Sequence, residues 1–170
     1  MAQFIYVEMR CDLEEKTYQE GVSPEIHVKS INEISVEDLF EVYTTAFNAG
    51  DARFYELQDQ KERRRYFNHE LGFPDILSNP ASFVYLNGGK LIGFSFVMPY
   101  LEDNFHISCM CLLPEFQGQG LGKAMLNRIK NVALENGCRT LTLGTEPEMK
   151  AYRLYKEHGF EITAEHTVEI

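Results

Sequence analysis

The sequence lacks a disulfide framework and has no long apolar run. Its four cysteines are not spaced as a disulfide framework, which is typical of a protein kept in a reducing environment. The longest apolar stretch, LIGFSFVMPYL at 91–101, is shorter than the roughly 20 residues that cross a bilayer. Glu8 and Arg10 interrupt the first ten residues, which therefore lack the pattern of a signal peptide. We expect a cytoplasmic protein without a membrane partner. The cysteines are Cys11, Cys109, Cys111 and Cys138.

Positive charge is also scarce. Lysine and arginine total 16 against 26 for aspartate and glutamate, which gives a formal net charge of −10. Nucleic acids and anionic membranes repel such a chain, so neither is expected as a partner, and a cationic ligand is weakly favoured. With 44% apolar residues over 170 positions, the chain can build one hydrophobic core. We predict a single domain over residues 1–170, in which residues 1–24 form an N-terminal strand and loop extension.

The first half of the chain alternates between strand and helix patterns. Ser35 has the spacing to Asp38 of a helix start, and Gly50 can end that helix. Asn87-Gly88 between two apolar runs predicts a tight hairpin turn. The predicted elements are strands at 4–10 and 25–32, helices at 35–50 and 51–71, and hairpin strands at 82–86 and 90–98.

The second half continues with a strand at 104–113 and a helix that begins after a glycine-rich segment. Thr145 and Glu148 have the spacing of a capping box, which predicts another helix start there. A strand at 139–144, a helix in KAYRLYKEHG and a final strand-like segment complete the order. Strands and helices mixed in this way predict an α+β (α/β mixed) fold.

The glycine-rich segment is QGQGLG at 117–122, between a strand and a helix. Glycines there would let phosphates approach the free N–H groups of the first helical turn, although a tight turn without a ligand would use the same residues. A P-loop requires a hydroxyl residue after Lys123, where Ala124 stands, and a dinucleotide fingerprint requires a different glycine spacing. A methyltransferase motif fits the glycines, but too little chain follows for the sheet of that fold.

The segment resembles the acetyl-CoA loop of the GNAT superfamily of N-acetyltransferases, whose motif is Gln/Arg-x-x-Gly-x-Gly/Ala. Here Gln117, Gly120 and Gly122 hold the motif positions, after a strand that ends at Leu112-Leu113-Pro114. The second motif of that family, Tyr-x-x-x-Gly-Phe in a late helix, is matched by YKEHGF at 155–160. The resemblance implies a central mixed, mostly antiparallel sheet flanked by helices on both faces, and acetyl-CoA as co-substrate without a metal.

The resemblance also implies which residues hold the co-substrate. Backbone N–H groups of the glycine-rich segment would bind the pyrophosphate, with Lys123 beside them, and the pantetheine arm would pair with the preceding strand. A bulge in that strand would turn N–H groups toward the thioester, and the N–H of Leu113 or of its neighbour is the predicted oxyanion donor. The predicted binding residues are Cys111, Leu112, Leu113, Gln117, Gly118, Gln119, Gly120, Leu121, Gly122, Lys123 and Tyr155.

Acetyl transfer to an amine also requires an acid and a base. Tyr155 is the predicted general acid, because a phenol stays protonated at neutral pH and can protonate the leaving thiolate; Tyr152 is the alternative. His106 is the first candidate base, predicted on the same strand face as Ser108, Met110 and Leu112. Glu146 or a chain of water molecules are the other candidates for this role.

Several sequence features lie outside these two motifs or allow more than one function. Many family members carry Asn at the position of Glu148. KERRR at 61–65 is interpreted as a solvated helix face, and Cys109 and Cys111 as small core residues, because no further metal ligands are suitably spaced. The acceptor could be a small amine, an amino acid, an antibiotic or a protein N-terminus. A non-catalytic acyl-CoA sensor of the same fold is the alternative function, and a homodimer is compatible with the resemblance.

Overall fold

The computed structural model describes residues 2–48 and 52–169, and Gly50, the predicted end of the first helix, lies outside them. In the described residues no helix is long and apolar enough to cross a membrane. The strands are β1 Gln3–Asp12, β2 Ile26–Ser30, β3 Phe83–Asn87, β4 Lys90–Pro99, β5 Asn104–Leu112, β6 Thr140–Thr145 and β7 Phe160–Glu169. The helices are α1 Val36–Asn48, α2 Arg53–Glu56, α3 Gln60–Leu71, α4 Leu121–Glu135 and α5 Lys150–Glu157.

The strands form one seven-stranded sheet in the order β2-β3-β4-β5-β6-β1-β7. Every neighbouring pair in this sheet is antiparallel except β5 and β6, which are parallel. This topology confirms the predicted mixed, mostly antiparallel sheet, and it excludes the parallel, doubly wound sheet that the methyltransferase interpretation requires.

Helices cover both faces of the sheet, because β4 and β5 are apolar on both sides. Alternation places Phe96 and Cys109 on one face and Gly93 and Leu112 on the other. Phe67 of α3 packs on the first face, with its ring centroid 5.7 Å from that of Phe96. Helices α4 and α5 cover the second face. We call the first face the aromatic face and the second the loop face, since the glycine-rich segment lies on it.

Three local predictions differ from the structure. The hairpin turn is centred on Gly88 and Gly89, with φ of +57° and +81°, because Asn87 still pairs with Lys90. The predicted helix at 51–71 is two helices, since Asp59 accepts a hydrogen bond from the Glu62 N–H and starts α3 afresh with a capping box. The predicted Thr145–Glu148 capping box is wrong: Thr145 ends β6, and α5 begins at Lys150 without a side-chain cap.

The predicted start of α1 is confirmed, because the Ser35 hydroxyl accepts a hydrogen bond from the Asp38 N–H at 3.2 Å. The basic run of α3 is less solvated than predicted. The Arg63 guanidinium lies 3.9 Å from the centroid of the Tyr55 ring, and Arg64 pairs with Glu37 of α1. These contacts attach α3 to its neighbouring helices.

Strand β5 contains a bulge that decides the shape of the sheet. Phe96 pairs with Cys109 and Val97 with Ile107, so Ser108 is an extra residue in β5. Parallel pairing with β6 runs from Asn104 to Ile107 and stops at this bulge, although both strands continue. The sheet is therefore open between β5 and β6 beyond Ile107.

Candidate active site

Two connected cavities meet where β5 and β6 separate. The first, of about 290 Å³, is lined by the glycine-rich segment, the end of β5 and the start of α5. The second, of about 360 Å³, lies mainly among the side chains of the aromatic face. Both are lined by Phe47, Met110, Met149 and Ala151, so the two cavities adjoin at these residues.

The glycine-rich segment offers donors without steric obstruction. Gly118 and Gly120 have φ of +75° and +83°, and a Cβ added to either would meet nothing within 4 Å. Gly120 directly precedes α4, and no side chain caps the first turn of that helix. Its N–H groups and the positive end of the helix dipole are thus available to an anion, with Lys123 exposed beside them. These residues fit a pyrophosphate.

The predicted binding residues do not all face the first cavity. Cys111, Leu112, Gln117, Gly118, Gly120, Gly122 and Lys123 line it. Gln119 and Leu121 instead line a separate pocket on the opposite side of the segment. The Gln117 side chain donates to the Leu112 carbonyl oxygen at 3.0 Å and so holds the segment against the end of β5.

The predicted oxyanion donor is corrected by the backbone pairing of β5. The N–H of Leu113 donates to the Ile92 carbonyl oxygen at 2.8 Å, so it is already used within the sheet. Because N–H groups alternate in direction along a strand, those of Met110 and Leu112 point away from β4 and toward the opening. Met110 is the better placed of the two, because its side chain lines both cavities.

Tyr155 is 6% exposed and lines the second cavity. The centroids of the Tyr155 and Phe160 rings are 5.7 Å apart, so the first and last residues of YKEHGF pack against each other and hold the Tyr155 ring in place. Burial raises the pKa of the Tyr155 hydroxyl, which therefore stays protonated at neutral pH. Tyr152, one turn earlier, is not in the lining of either cavity.

The predicted position of His106 is wrong because of the bulge. Across the sheet His106 pairs with Met98, which places it on the face of Cys109 and not on that of Met110 and Leu112. Its Nδ1 lies 2.9 Å from the Thr142 hydroxyl, and burial lowers its pKa. His106 is outside the lining of both cavities, so the structure does not bring it to the thioester position.

Glu146 lines the second cavity, but both of its carboxylate oxygens are occupied. They accept hydrogen bonds from the N–H groups of Arg53 at 2.7 Å and Phe54 at 3.1 Å. These are the first amides of α2, so Glu146 anchors that helix to the end of β6. Burial raises the pKa of its carboxyl, against the effect of those two hydrogen bonds.

The second cavity also contains a buried carboxyl that the sequence motifs do not indicate. Glu70 of α3 is 7% exposed, and its Oε2 has no hydrogen-bond partner among the described residues. Burial raises its pKa to about 7, although a hydrogen bond from Tyr66 acts in the opposite direction. A signal was present in the sequence, because Glu70 follows Phe67 by three positions and so shares its buried helix face. The surrounding aromatic lining includes Phe4, Tyr6, Tyr43, Phe54, Tyr66 and Phe96.

Comparisons with known proteins agree with this geometry. A model of the acetyltransferase (GNAT) family matches residues 35–160. N-acetyltransferases of Mycobacterium bovis and Mycobacterium tuberculosis, themselves described as uncharacterised, are 24% identical over 101 residues. The match covers 58% of this chain and 65% of theirs, so the chain spans less than two thirds of their length.

Solved structures share the fold. A GCN5-related N-acetyltransferase from Sphaerobacter thermophilus superposes with a TM-score of 0.68 at 16% identity, covering 97% of this chain and 51% of that one. The PaiA N-acetyltransferase of Thermoplasma acidophilum, in complex with coenzyme A, gives a TM-score of 0.61 at 15% identity, covering 80% and 89%. At these identities the likeness concerns the fold alone.

Proposed function

The chain belongs to the GNAT acetyltransferase family, and on that premise we propose that it transfers an acetyl group from acetyl-CoA to a primary amine by direct attack. The observation that carries the proposal is the opening between β5 and β6, where the two cavities meet. The first cavity suits the co-substrate and the second suits the acceptor. Bringing both reactants together at Met110 supplies the proximity on which a direct transfer depends.

The co-substrate would be held by backbone groups. Amides at Gly118, Gly120 and the first turn of α4 would bind the pyrophosphate, and Lys123 would add a positive charge. The pantetheine arm would lie along the free edge of β5 and hydrogen-bond to it, as an added strand does. The carbonyl oxygen of Leu112 would then exchange its bond from Gln117 for one from the arm.

Two groups would act on the reacting atoms. The Met110 N–H would stabilise the negative charge that develops on the thioester oxygen, in place of the Leu113 N–H, which donates to Ile92. The Tyr155 hydroxyl would protonate the sulfur as the C–S bond breaks. Because burial raises the pKa of Tyr155, this acid is in its working form throughout the neutral range.

The test is an assay for the CoA thiol released from acetyl-CoA in the presence of a broad panel of primary amines. Tyr155→Phe should lower kcat by about 10² or more and leave the KM for acetyl-CoA nearly unchanged, since only the transition state loses an interaction. Tyr152→Phe is the matched control on the same helix and should retain activity. Equal kcat values for Tyr155→Phe and the unmodified protein would contradict the proposal that Tyr155 is the general acid.

The sensor alternative is separated by combining this assay with thermal unfolding. Acetyl-CoA should raise the Tm, because a ligand that binds only the folded state stabilises it by mass action. A raised Tm without thiol release for any amine would support the sensor and contradict the transferase. Stabilisation by S-adenosylmethionine in place of acetyl-CoA would contradict both.

A further inference from the structure

The second cavity contains a buried carboxylate oxygen, Oε2 of Glu70, that has no hydrogen-bond partner in the described part of the chain. Glu70 and Glu146 are its acidic lining residues, and Glu146 already accepts two backbone hydrogen bonds. Glu70 Oε2 is buried without a partner among the described residues. A buried polar oxygen left in this condition is costly, so its presence points to a ligand that donates a hydrogen bond to it.

The rest of the lining narrows what that ligand can be. The described lining contains no lysine, arginine or histidine, so a cation entering the cavity meets no like charge there. Tyr6, Tyr43 and Tyr66 line this cavity, and their hydroxyl groups lie within electrostatic range of Glu70. Aromatic faces attract an ammonium group and also pack against an apolar body. A volume of about 360 Å³ is at the lower end of the range for small-ligand pockets, which is roughly 300–1,000 Å³.

Glu70 also lines the same cavity as Tyr155, the proposed acid, and Met110, the proposed oxyanion donor. Cys109, next to the bulge, lies within electrostatic range of both Glu70 and Tyr155. An amine that approaches Glu70 therefore lies in the same chamber into which Tyr155 projects. The opening at Met110 connects this chamber to the first cavity.

We propose that the acceptor is a compact primary amine with an apolar or aromatic body, and that Glu70 binds its ammonium group and removes its proton. This inference rests on the proposed transferase function and names the substrate class of its acceptor site. Glu70 is then a catalytic residue, because its carboxylate contacts the reacting amine.

The protons balance over the reaction. The ammonium group gives one proton to the Glu70 carboxylate, and the free nitrogen lone pair attacks the thioester carbonyl carbon. The C–N bond forms, the C–S bond breaks, and the sulfur takes the proton of the Tyr155 hydroxyl. The nitrogen loses its second proton, which restores Tyr155 through solvent, and Glu70 releases its proton to solvent after the amide leaves.

The electrostatic surroundings support a base that works near neutral pH. Burial raises the pKa of the Glu70 carboxyl to about 7, which suits a general base at this pH. The titratable groups that face it are Tyr66 on α3, Tyr6 on β1, Tyr43 on α1 and Cys109 on β5, with Glu146 elsewhere in the lining. Burial raises the pKa values of these tyrosines, and a hydrogen bond with Cys111 together with burial raises that of Cys109, so these groups remain uncharged while Glu70 titrates.

The test compares three amines in the thiol-release assay. Phenethylamine matches the cavity, phenylalanine adds a carboxylate that Glu70 should repel, and putrescine lacks the apolar body. We expect phenethylamine to exceed the other two in kcat/KM by about tenfold or more, which corresponds to the loss of one good contact. Equal or reversed preference, with any amine still acetylated, would overturn the inference and leave the transferase function standing.

The matched variants are Glu70→Gln and Glu62→Gln, which remove one charge each from α3. Glu70→Gln should lower kcat/KM for phenethylamine by about 10² and abolish the acidic limb of the pH profile. It should also weaken phenethylamine binding to the CoA-bound protein, measured by calorimetry, which does not depend on turnover. Glu62 is exposed, and Glu62→Gln should change none of these. An unchanged pH profile and unchanged phenethylamine binding in Glu70→Gln would overturn the inference. If none of the amines supports thiol release, the transferase function is overturned and the inference with it.

Discussion

At the scale of single residues, burial prepares Glu70 to accept a proton and Tyr155 to donate one. Burial stabilises the neutral form of both groups. For Tyr155 this retains a proton that can be donated. For Glu70 burial makes the charged form costly, so the carboxylate binds a cation or a proton more favourably than it would in water. One physical cause, removal from water, thus supports both proposed roles.

The same burial predicts how Glu70 affects stability. The pKa of Glu70 rises from 4.5 in the unfolded chain to about 7 in the fold, so the folded protein holds its proton more tightly. Stability is therefore highest below pH 4.5 for this group and is lost as the pH rises toward 7. At about 1.4 kcal/mol per unit, the loss is roughly 3 kcal/mol.

Glu70→Gln should remove this loss, because the amide has no charge to bury. We expect its free energy of unfolding, from urea titrations, to exceed that of the unmodified protein at pH 8 and to approach it at pH 4.5. Glu62→Gln, at an exposed position of the same helix, should show no such divergence. A difference between Glu70→Gln and the unmodified protein that is constant with pH would contradict the burial argument.

At the scale of elements, the two ends of α4 offer a matched experiment. Gly120 precedes the helix with φ of +83°, and Gly137 follows it with φ of +79°. Both have open space where a Cβ would lie. Gly120→Ala and Gly137→Ala should each cost about 1–2 kcal/mol of stability, because both place an L side chain in the left-handed region.

Only the first substitution should affect the co-substrate, because its methyl group would stand where phosphates approach the helix N-terminus. We expect Gly120→Ala to raise the dissociation constant for CoA by about tenfold, measured by calorimetry, and Gly137→Ala to leave it unchanged. Equal CoA affinities in the two variants would show that the glycine-rich segment serves only as a turn.

The elements also show how far the sequence could predict this protein. Periodicity and turn residues predict each strand and the helices α4 and α5, because these signals are local. The bulge at Ser108 is not local: it depends on the pairing of β5 with β4, and it moved His106 to the other face. Leu113 was misassigned for a related reason, since only the pairing with Ile92 shows that its N–H is used. Glu70 is not indicated by the sequence motifs, because most residues of α3 are polar and its one buried carboxyl stands among exposed polar side chains.

At the scale of the whole molecule, net charge should influence how the acceptor arrives. A chain with a formal net charge of −10 attracts a cationic amine before contact, and salt screens this attraction. Raising the salt concentration from about 50 to 300 mM should raise the KM of the amine about two- to threefold. The kcat should not change, because the bound amine no longer depends on the encounter. A KM that is independent of salt would show that the acidic surface does not guide the acceptor.

The position of β1 in the sheet has a consequence for the order in which the chain is made. This strand lies between β6 and β7, which are near the opposite end of the sequence. On the ribosome β1 is therefore synthesised before both of its partners, and roughly 130 further residues are made before β6 can pair with it. Val7, Met9 and Cys11 of β1 are buried in the fold, and they lack these partner strands until then. Chaperone contact with the nascent chain should accordingly include β1 and end when β7 emerges.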